Sequence, residues 1–381
     1  MATSWQRGIA ILTAIYVSRM LGLFMVFPVF SLYASELAGA NKTLVGVALG
    51  IYGLSQGLLQ LPCGWLSDRF GRKPVIAAGL LLFVAGSLLA AMATTITMMI
   101  AARAVQGMGA IAAVTLAYAT DITPGEKLGK VMAILGGSIG MAFVLSLIIG
   151  PLVAAWIGVA GLFYLIALIA GLALVASLRL PLVATRPQTA ATGHYDKRQL
   201  MQAAAAIFFL HGVFTATFLV LPPLLVDAGI AKANHWWLYL PANFVALCFM
   251  RVKATPHPLN FGISYLLLAV GTGLLAMPFG TWWLLFALSI YFIAFYRLET
   301  GLPHWVAHIA SPDVRGRAMG LYSSAQFLGS FCGGAVAGRL WHDLPPATVL
   351  LPLVAACACA ALLLLKIGKT TTLRAATHSD S

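Results

Sequence analysis

Charged residues are scarce in this sequence. Asp, Glu, Lys and Arg together make up 9% of its 381 residues, against about a quarter in a typical soluble domain. Acidic residues are the scarcest, with 10 Asp and Glu against 23 Lys and Arg, whereas hydrophobic residues reach 61%. This composition excludes an ordinary soluble domain and indicates an integral membrane protein.

Several other features are missing as well. The five cysteines are odd in number and lack the spacing of metal ligands, so the sequence indicates no disulfide framework and no metal site. No ten-residue segments alternate between apolar and polar residues, which excludes a membrane barrel. The basic residues form no stripe, which argues against nucleic acid as a partner. We find no nucleophile–base pair, phosphate loop or cofactor motif, and therefore expect no enzyme activity.

The apolar residues come instead in twelve blocks, most of them near the ~20 residues with which a helix crosses the hydrocarbon core. The first block is too long for a signal-peptide core and ends without a small-residue cleavage pattern, so we expect it to remain as a helix. The predicted spans lie near residues 8–33, 43–66, 74–93, 98–120, 130–151, 158–180, 200–222, 236–252, 260–278, 282–304, 317–339 and 346–366.

Positive charge is unevenly distributed between the segments that join these spans. With the N-terminus in the cytoplasm, the inner segments hold 17 of the 23 Lys and Arg. The outer segments hold only Lys42, Lys232 and Arg339. Because basic residues favour the cytoplasmic side, this bias predicts a multi-pass protein of the inner membrane with both termini in the cytoplasm.

The longest inner segment, 181–199, divides the chain into an N-terminal half, 1–180, and a C-terminal half, 200–381. Gly129-Lys130-Val131-Met132 opens the fifth span and is echoed by Gly316-Arg317-Ala318-Met319 at the eleventh, 187 residues later. The sequence therefore predicts an all-α membrane protein of twelve transmembrane helices in two six-helix halves. Such a two-half transporter is complete as a monomer, with its site near the midplane.

The loop between the second and third spans concentrates charge and glycine. Gly64 has no Cβ and would let a neighbouring helix approach, and Asp68 could accept hydrogen bonds at a helix N-terminus. The basic side chains could reach lipid phosphates or an acid on an adjacent helix, for which Asp121 is the candidate. The residues of interest in the loop are Gly64, Asp68, Arg69, Gly71, Arg72 and Lys73.

Ionisable residues inside predicted spans are expensive in hydrocarbon and suggest function. Glu299 is the single carboxylate in any predicted span; low dielectric favours its neutral form and a nearby arginine its charged form, the balance that a proton carrier needs. Arg297 lies two residues away, roughly 200° around the helix, and so cannot pair with it. An ion pair with an arginine of the other half is the alternative. Arg19, Arg103 and His211 complete the candidates for proton coupling.

Other polar side chains within the spans could line a substrate cavity. Helix–helix hydrogen bonds explain such side chains equally well. The candidates are Tyr52, Gln56, Gln60, Tyr118, Asn243, Tyr296, Arg297 and Gln326.

The loop from Gly64 to Lys73 resembles the signature loop of the major facilitator superfamily of transporters, where it latches the two halves together on the cytoplasmic side. Asp68 and Asp121 match its acidic partners. The run 103–107 is similar to a fourth-helix motif whose arginine is linked to proton coupling. The fifth span resembles the fifth-helix motif of drug–proton antiporters at Gly137, Ser146, Gly150 and Pro151.

Segments 18–28, 103–107 and 316–323, together with the loop, look like bacterial YajR-type efflux transporters. Those proteins carry a soluble domain after the twelfth helix, whereas about fifteen residues follow Lys366 here. The resemblance therefore implies the transport fold without that domain.

These features predict a proton-coupled efflux transporter of small molecules that works by alternating access, an antiporter. The alternatives are a proton-coupled symporter for an anionic or neutral metabolite, and a non-transporting receptor on the same fold. Three arginines against one carboxylate within the spans favour neutral or anionic substrates, unless the arginines are held in ion pairs.

Overall fold

The computed structural model describes residues 4–181, 194–249, 257–277, 279–311 and 314–379. This part of the chain is helical and contains two isolated β-bridges but no strand. The prediction of an all-α protein is confirmed. Residues 182–193, the greater part of the predicted linker, lie outside the described residues.

The helices follow the order of the predicted spans. The N-terminal half contains α1 (Ser4–Phe24), α2 (Phe30–Ala34), α3 (Lys42–Phe70), α4 (Arg72–Ala91), α5 (Ile96–Met108), α6 (Ala112–Ile122) and α7 (Gly125–Ser177). The C-terminal half contains α8 (Lys197–Asp227), α9 (Trp236–Phe249), α10 (Pro258–Leu275), α11 (Thr281–Ile309), α12 (Arg315–Asp343) and α13 (Pro346–Ser379).

Within the described ranges, nine helices are long and apolar enough to cross a membrane. α7 covers both the fifth and the sixth predicted spans. The chain bends at Gly158, where the sixth predicted span begins, and the φ of 70° at this residue lies in the left-handed region that glycine tolerates. α9, of 14 residues, and the glycine-rich α12 match the eighth and eleventh predicted spans. The number of twelve crossings and the cytoplasmic position of both termini stay predictions.

Two predicted spans are interrupted. The first consists of α1 and α2, which are separated by turns around Pro28. The fourth consists of α5 and α6, which are separated at Gly109, where an added Cβ would overlap the carbonyl of Gly79. A proline lacks an N–H donor, and a glycine allows close backbone contact, so both breaks have local causes.

We call the end of the bundle that carries the Gly71 turn the inner end and the opposite end the outer end. α8 begins at the inner end, where the carboxylate of Asp196 accepts hydrogen bonds from the backbone N–H groups of Arg198 and Gln199 at 2.9 and 3.1 Å. These bonds, together with one from the Gln199 side chain, hold the pKa of Asp196 below its ordinary value. Asp196 is thus a helix cap.

The two halves meet along α3 and α12, where glycines bring the backbones together. A Cβ on Gly46, Gly50 or Gly53 would overlap backbone atoms of Gly334, Phe331 or Phe327. Small residues at a helix crossing maximise van der Waals contact where lipid supplies no hydrophobic drive. This glycine seam joins the halves from the outer end to the middle of the bundle.

Aromatic rings continue the contact at mid-depth. Phe27 of the N-terminal half lies 5.1 Å from Phe214 of the C-terminal half, between ring centroids, and Phe143 lies 6.0 Å from Phe295. At the inner end, by contrast, no atom lies within 4 Å of a Cβ built on Gly64, among the residues described. The close helix contact that we predicted at Gly64 is therefore absent in this conformation, which is closed at the outer end.

Candidate proton-coupling site

Three helices of the C-terminal half bring His211, Glu299 and Gln326 together at mid-depth. The Nε2 atom of His211 lies 2.9 Å from Oε2 of Glu299 and 2.8 Å from the amide nitrogen of Gln326. That amide also donates to Oε1 of Glu299 at 3.2 Å. The spans containing α8, α11 and α12 each supply one residue, so the cluster depends on how the helices pack.

The contacts of His211 Nε2 depend on protonation. A ring nitrogen carries either a proton or a lone pair, so it cannot donate to Glu299 and accept from Gln326 at the same time. With a proton on Nε2 the ring donates to the carboxylate, and without one it accepts from the amide. The cluster therefore has two hydrogen-bond arrangements that differ by the position of a proton.

The cluster is partly accessible. The Glu299 side chain is 30% exposed and that of His211 is 9% exposed. Phe214 and Phe295, which are buried, lie 5.9 and 6.1 Å from the His211 ring between centroids. The titratable atoms thus border both the aromatic contact between the halves and an accessible space.

The N-terminal half contains a different polar cluster, in which Arg19 donates to the Tyr52 hydroxyl at 3.1 Å and to Gln56 Oε1 at 3.2 Å. Arg103 donates to Gln106, and its guanidinium carbon lies 5.0 Å from the centre of the Tyr52 ring. The two arginines are 1% and 0% exposed. Cation–π contacts and amide acceptors therefore replace water around both cations.

Neither arginine pairs with a carboxylate in the described part of the chain, and Nε of each lacks a hydrogen-bond partner there. Glu299 pairs with His211 instead, so its ion pair with an arginine of the other half is not formed in this conformation. We allowed for arginines held in ion pairs; instead, packing buries both Arg19 and Arg103 in this conformation.

The residues predicted to line a substrate cavity make contacts in different parts of the bundle. Tyr296 donates to Asn243 at 2.5 Å, and Arg297 donates to Ser264 of α10 at 3.3 Å. Tyr118 donates to the carbonyl of Pro181 at the inner end. Tyr118 and Arg297 therefore have hydrogen-bond partners outside the predicted set, and the substrate cavity stays a prediction. Gln60 is buried on the same helix as Gln56.

The charged loop forms a network within the N-terminal half. Arg72 donates to Asp68, to Ser67 Oγ at 2.6 Å and to Asp121 at 3.0 Å. The contact with Asp121 agrees with our prediction, whereas Asp68 pairs with Arg72 rather than with a helix N-terminus. The role of this network as a latch between the halves stays a prediction.

The other two basic residues of the loop have different partners. Lys73 donates to the carbonyls of Leu178 and Leu180 at 2.6 and 3.1 Å, just beyond the end of α7, where a cation also favours the helix dipole. Arg69 lies over the rings of Trp65 and Phe70 at 5.7 and 5.5 Å. Gly71 has a φ of 95° and forms the turn between α3 and α4.

The fifth-span motif packs α7 against the first span. Ser146 donates to the carbonyls of Ala142 at 2.6 Å and Leu21 at 3.4 Å, and a Cβ on Gly150 would overlap the Met25 carbonyl. Pro151 follows inside the helix. Gly137, by contrast, has no described atom within 4 Å of a built Cβ, so no described helix packs closely against it in this conformation.

Sequence reasoning missed the outer contacts between the halves. Lys232 lies 3.3 Å from Glu36 across the seam, and both side chains are more than half exposed. Nearby, His235 is fully buried, and burial lowers its pKa to about 4. The sequence offered one signal for this contact: an acidic residue follows the first predicted span, and a basic residue follows the seventh.

The chain matches the family model of the Major Facilitator Superfamily over residues 12–257. It is 36% identical to the inner membrane transport protein YajR of Escherichia coli, with 86% of this chain and 76% of that protein covered. It is 32% identical to the class H tetracycline resistance protein of Pasteurella multocida over 40% of this chain and 38% of that one.

The fold resembles that of the human organic anion transporter MFSD10, with a TM-score of 0.72, 17% identity, and coverage of 95% of this chain and 100% of the other. The matched residues and the helical architecture agree with the multi-pass organisation derived above. This chain belongs to the major facilitator superfamily and is a membrane transporter rather than an enzyme.

Proposed function

We propose that this protein is a proton-coupled exporter in which Glu299 carries the exchanged proton. The observation that carries this proposal is the contact of His211, Glu299 and Gln326 in a partly exposed position beside the aromatic contact between the halves. A carboxylate at this depth is costly, and its contact with His211 and Gln326 offsets part of that cost. The tetracycline resistance relative supports the direction of transport.

The exchange requires that proton and substrate favour different conformations or compete for one site. A ligand shifts a conformational equilibrium only through its different affinity for the two states. In the present conformation, a substrate that displaces the proton from Glu299 binds next to a carboxylate that accepts hydrogen bonds from His211 and Gln326. Substrate binding at the inner end therefore releases a proton, which is the step expected of an antiporter.

The location of the charges also changes the expected substrate. Arg19 and Arg103 are shielded and Arg297 donates to Ser264 of α10, whereas the Glu299 side chain is 30% exposed. The count of three arginines in the sequence favours neutral or anionic substrates only if these arginines are available to a substrate. We propose instead that neutral and cationic compounds are accepted.

Proton release from purified protein in detergent tests this function. Cationic, neutral and anionic compounds are added to wild-type protein, to Glu299→Gln and to the matched control Glu126→Gln, whose carboxylate lies exposed at the start of α7. We expect release with at least one cationic or neutral compound in wild type and control, and none in Glu299→Gln.

Release that persists in Glu299→Gln would contradict the assigned role of Glu299. Proton uptake on adding an anion would indicate the symporter instead. Binding without any proton movement would favour a receptor or a uniporter.

A further inference from the structure

A cavity lies at the outer end of the seam, away from the proton-coupling cluster. Its walls come from the end of the first span, from the bend of α7 around Gly158, and from the segment between α8 and α9. Both halves therefore contribute, and Pro28, Leu32, Ala154 and Val159 make it mainly apolar.

The cavity has a volume of about 210 Å³. An apolar cavity of about 150 Å³ is enough to bind benzene in a protein core. This space is therefore large enough for a six-membered ring with one polar substituent, and too small for a drug-sized molecule, which occupies at least roughly 300 Å³.

His235 lines this cavity and is fully buried. Its Nε2 lies 3.3 Å from the carbonyl of Ile230, and because a carbonyl only accepts, the neutral ring carries its proton on Nε2. Its Nδ1 is consequently an acceptor, and it is buried without a hydrogen-bond partner among the described residues. A buried acceptor without a donor is costly.

The charges at the cavity balance one another. Glu36 and Lys232, which also line the cavity, form an ion pair at 3.3 Å. Burial keeps His235 uncharged at neutral pH, with its pKa at about 4. The lining thus selects a neutral ligand, and the histidine selects one with a hydrogen-bond donor.

We propose that this outer cavity is a binding site for a small neutral ring compound that bears a hydroxyl group, such as a simple phenol. The ring occupies the apolar space between Pro28 and Ala154, and the hydroxyl donates to Nδ1 of His235. The proposal concerns a site separate from the transport site and does not depend on the direction or the coupling of transport.

Binding at this site has a consequence for the conformational cycle. The cavity has walls from both halves and exists only while their outer ends are together. A ligand with affinity for this state alone shifts the population towards it. The compound therefore acts as an inhibitor of the cycle that does not compete with substrate at the inner end.

Fluorine NMR of 4-fluorophenol and fluorobenzene with the purified full-length protein tests the site. The two ligands differ by the hydroxyl group, so the protein itself is unchanged in the comparison. We expect saturable binding of 4-fluorophenol, about tenfold tighter than that of fluorobenzene, because one hydrogen bond to a buried acceptor is lost.

Ala154→Phe fills the cavity and is expected to abolish saturable binding. Leu152→Phe places the same ring on an exposed position of the same helix and should leave binding unchanged. Equal affinity for the two ligands would overturn the role of His235. Absence of saturable binding, or binding that survives Ala154→Phe, would overturn the site.

Discussion

The two halves of this transporter differ in how far the ionisable side chains within their helices are exposed. In the N-terminal half, Arg19 and Arg103 are shielded from solvent and surrounded by amides and aromatic rings. In the C-terminal half, Glu299 is 30% exposed and bonded to two side chains that can rearrange with a proton. A half that fixes its charges is suited to structure, and one that exposes a titratable group is suited to coupling.

The difference follows from side-chain chemistry. Arginine keeps its charge under any condition reached in a protein, so its burial demands permanent acceptors. A carboxylate and an imidazole can each become neutral, so their environment at mid-depth need not be the same throughout a cycle. The two halves thus contain one permanent and one variable polar cluster.

The largest expected contrast concerns solvent access. After replacement of the native cysteines, Glu299→Cys should react with a membrane-impermeant thiol reagent that is admitted to the inner end. Arg103→Cys should not react until the protein is unfolded in detergent, because position 103 is fully buried. Equal labelling of the two folded variants would contradict the difference in solvent access between positions 299 and 103.

Loss of the histidine should have a large effect on transport. His211→Leu removes the hydrogen bond to the Glu299 carboxyl group; a hydrogen bond to a charged group contributes roughly 1.5–3 kcal/mol, so we expect export to fall by about 10- to 100-fold. The pH dependence of the remaining transport should also change. Export is measured in proteoliposomes with an imposed proton gradient, and His304→Leu, an exposed position on α11, serves as the control. Wild-type export by His211→Leu would contradict a role in coupling.

A smaller effect is expected in the N-terminal half, and on stability rather than on coupling. Tyr52→Phe removes an acceptor of Arg19 and should lower the free energy of unfolding by about 1–3 kcal/mol. Substrate-induced proton release should persist. Thermal unfolding of Tyr52→Phe and of the exposed control Tyr164→Phe measures the first part. Loss of proton release with unchanged stability would indicate instead that Tyr52 takes part in proton coupling.

The smallest effect is expected at the inner loop. Asp121→Asn weakens an ion pair with Arg72 whose carboxylate is 33% exposed, and such pairs contribute no more than about 1 kcal/mol. Asp343→Asn, at the exposed pair with Arg339, is the matched control in the other half. A loss of several kcal/mol on thermal unfolding for Asp121→Asn alone would show that the loop network stabilises the N-terminal half far beyond its exposure.

The sequence predicted the helical class, the order of the helices and the acidic partner of the charged loop. The pairing of Arg72 with Asp121 followed from charge and loop position, and the failure of Arg297 to meet Glu299 followed from helix geometry. The first relation depends on both residues lying at the cytoplasmic ends of predicted spans, and the second on the regular 100° turn per residue of a helix. For this reason they could be derived without knowing how the helices pack.

Other relations escaped sequence reasoning. His211 and Glu299 are 88 positions apart, and both were named, but nothing in the sequence paired them. The outer cavity with His235 was missed entirely, because its walls come from three distant segments. Gly64 and Gly46 look equivalent as small residues, yet only Gly46 lies against the other half.

By itself, the sequence determined that this protein lies in the membrane as a helical bundle, since the cost of exposing polar backbone to lipid leaves long apolar runs no other form. It also determined which few ionisable residues enter the spans. Tertiary structure alone decided which of them are shielded and which are accessible. Burial is a property of the surroundings, and in a helix bundle those surroundings come from residues far apart in the chain.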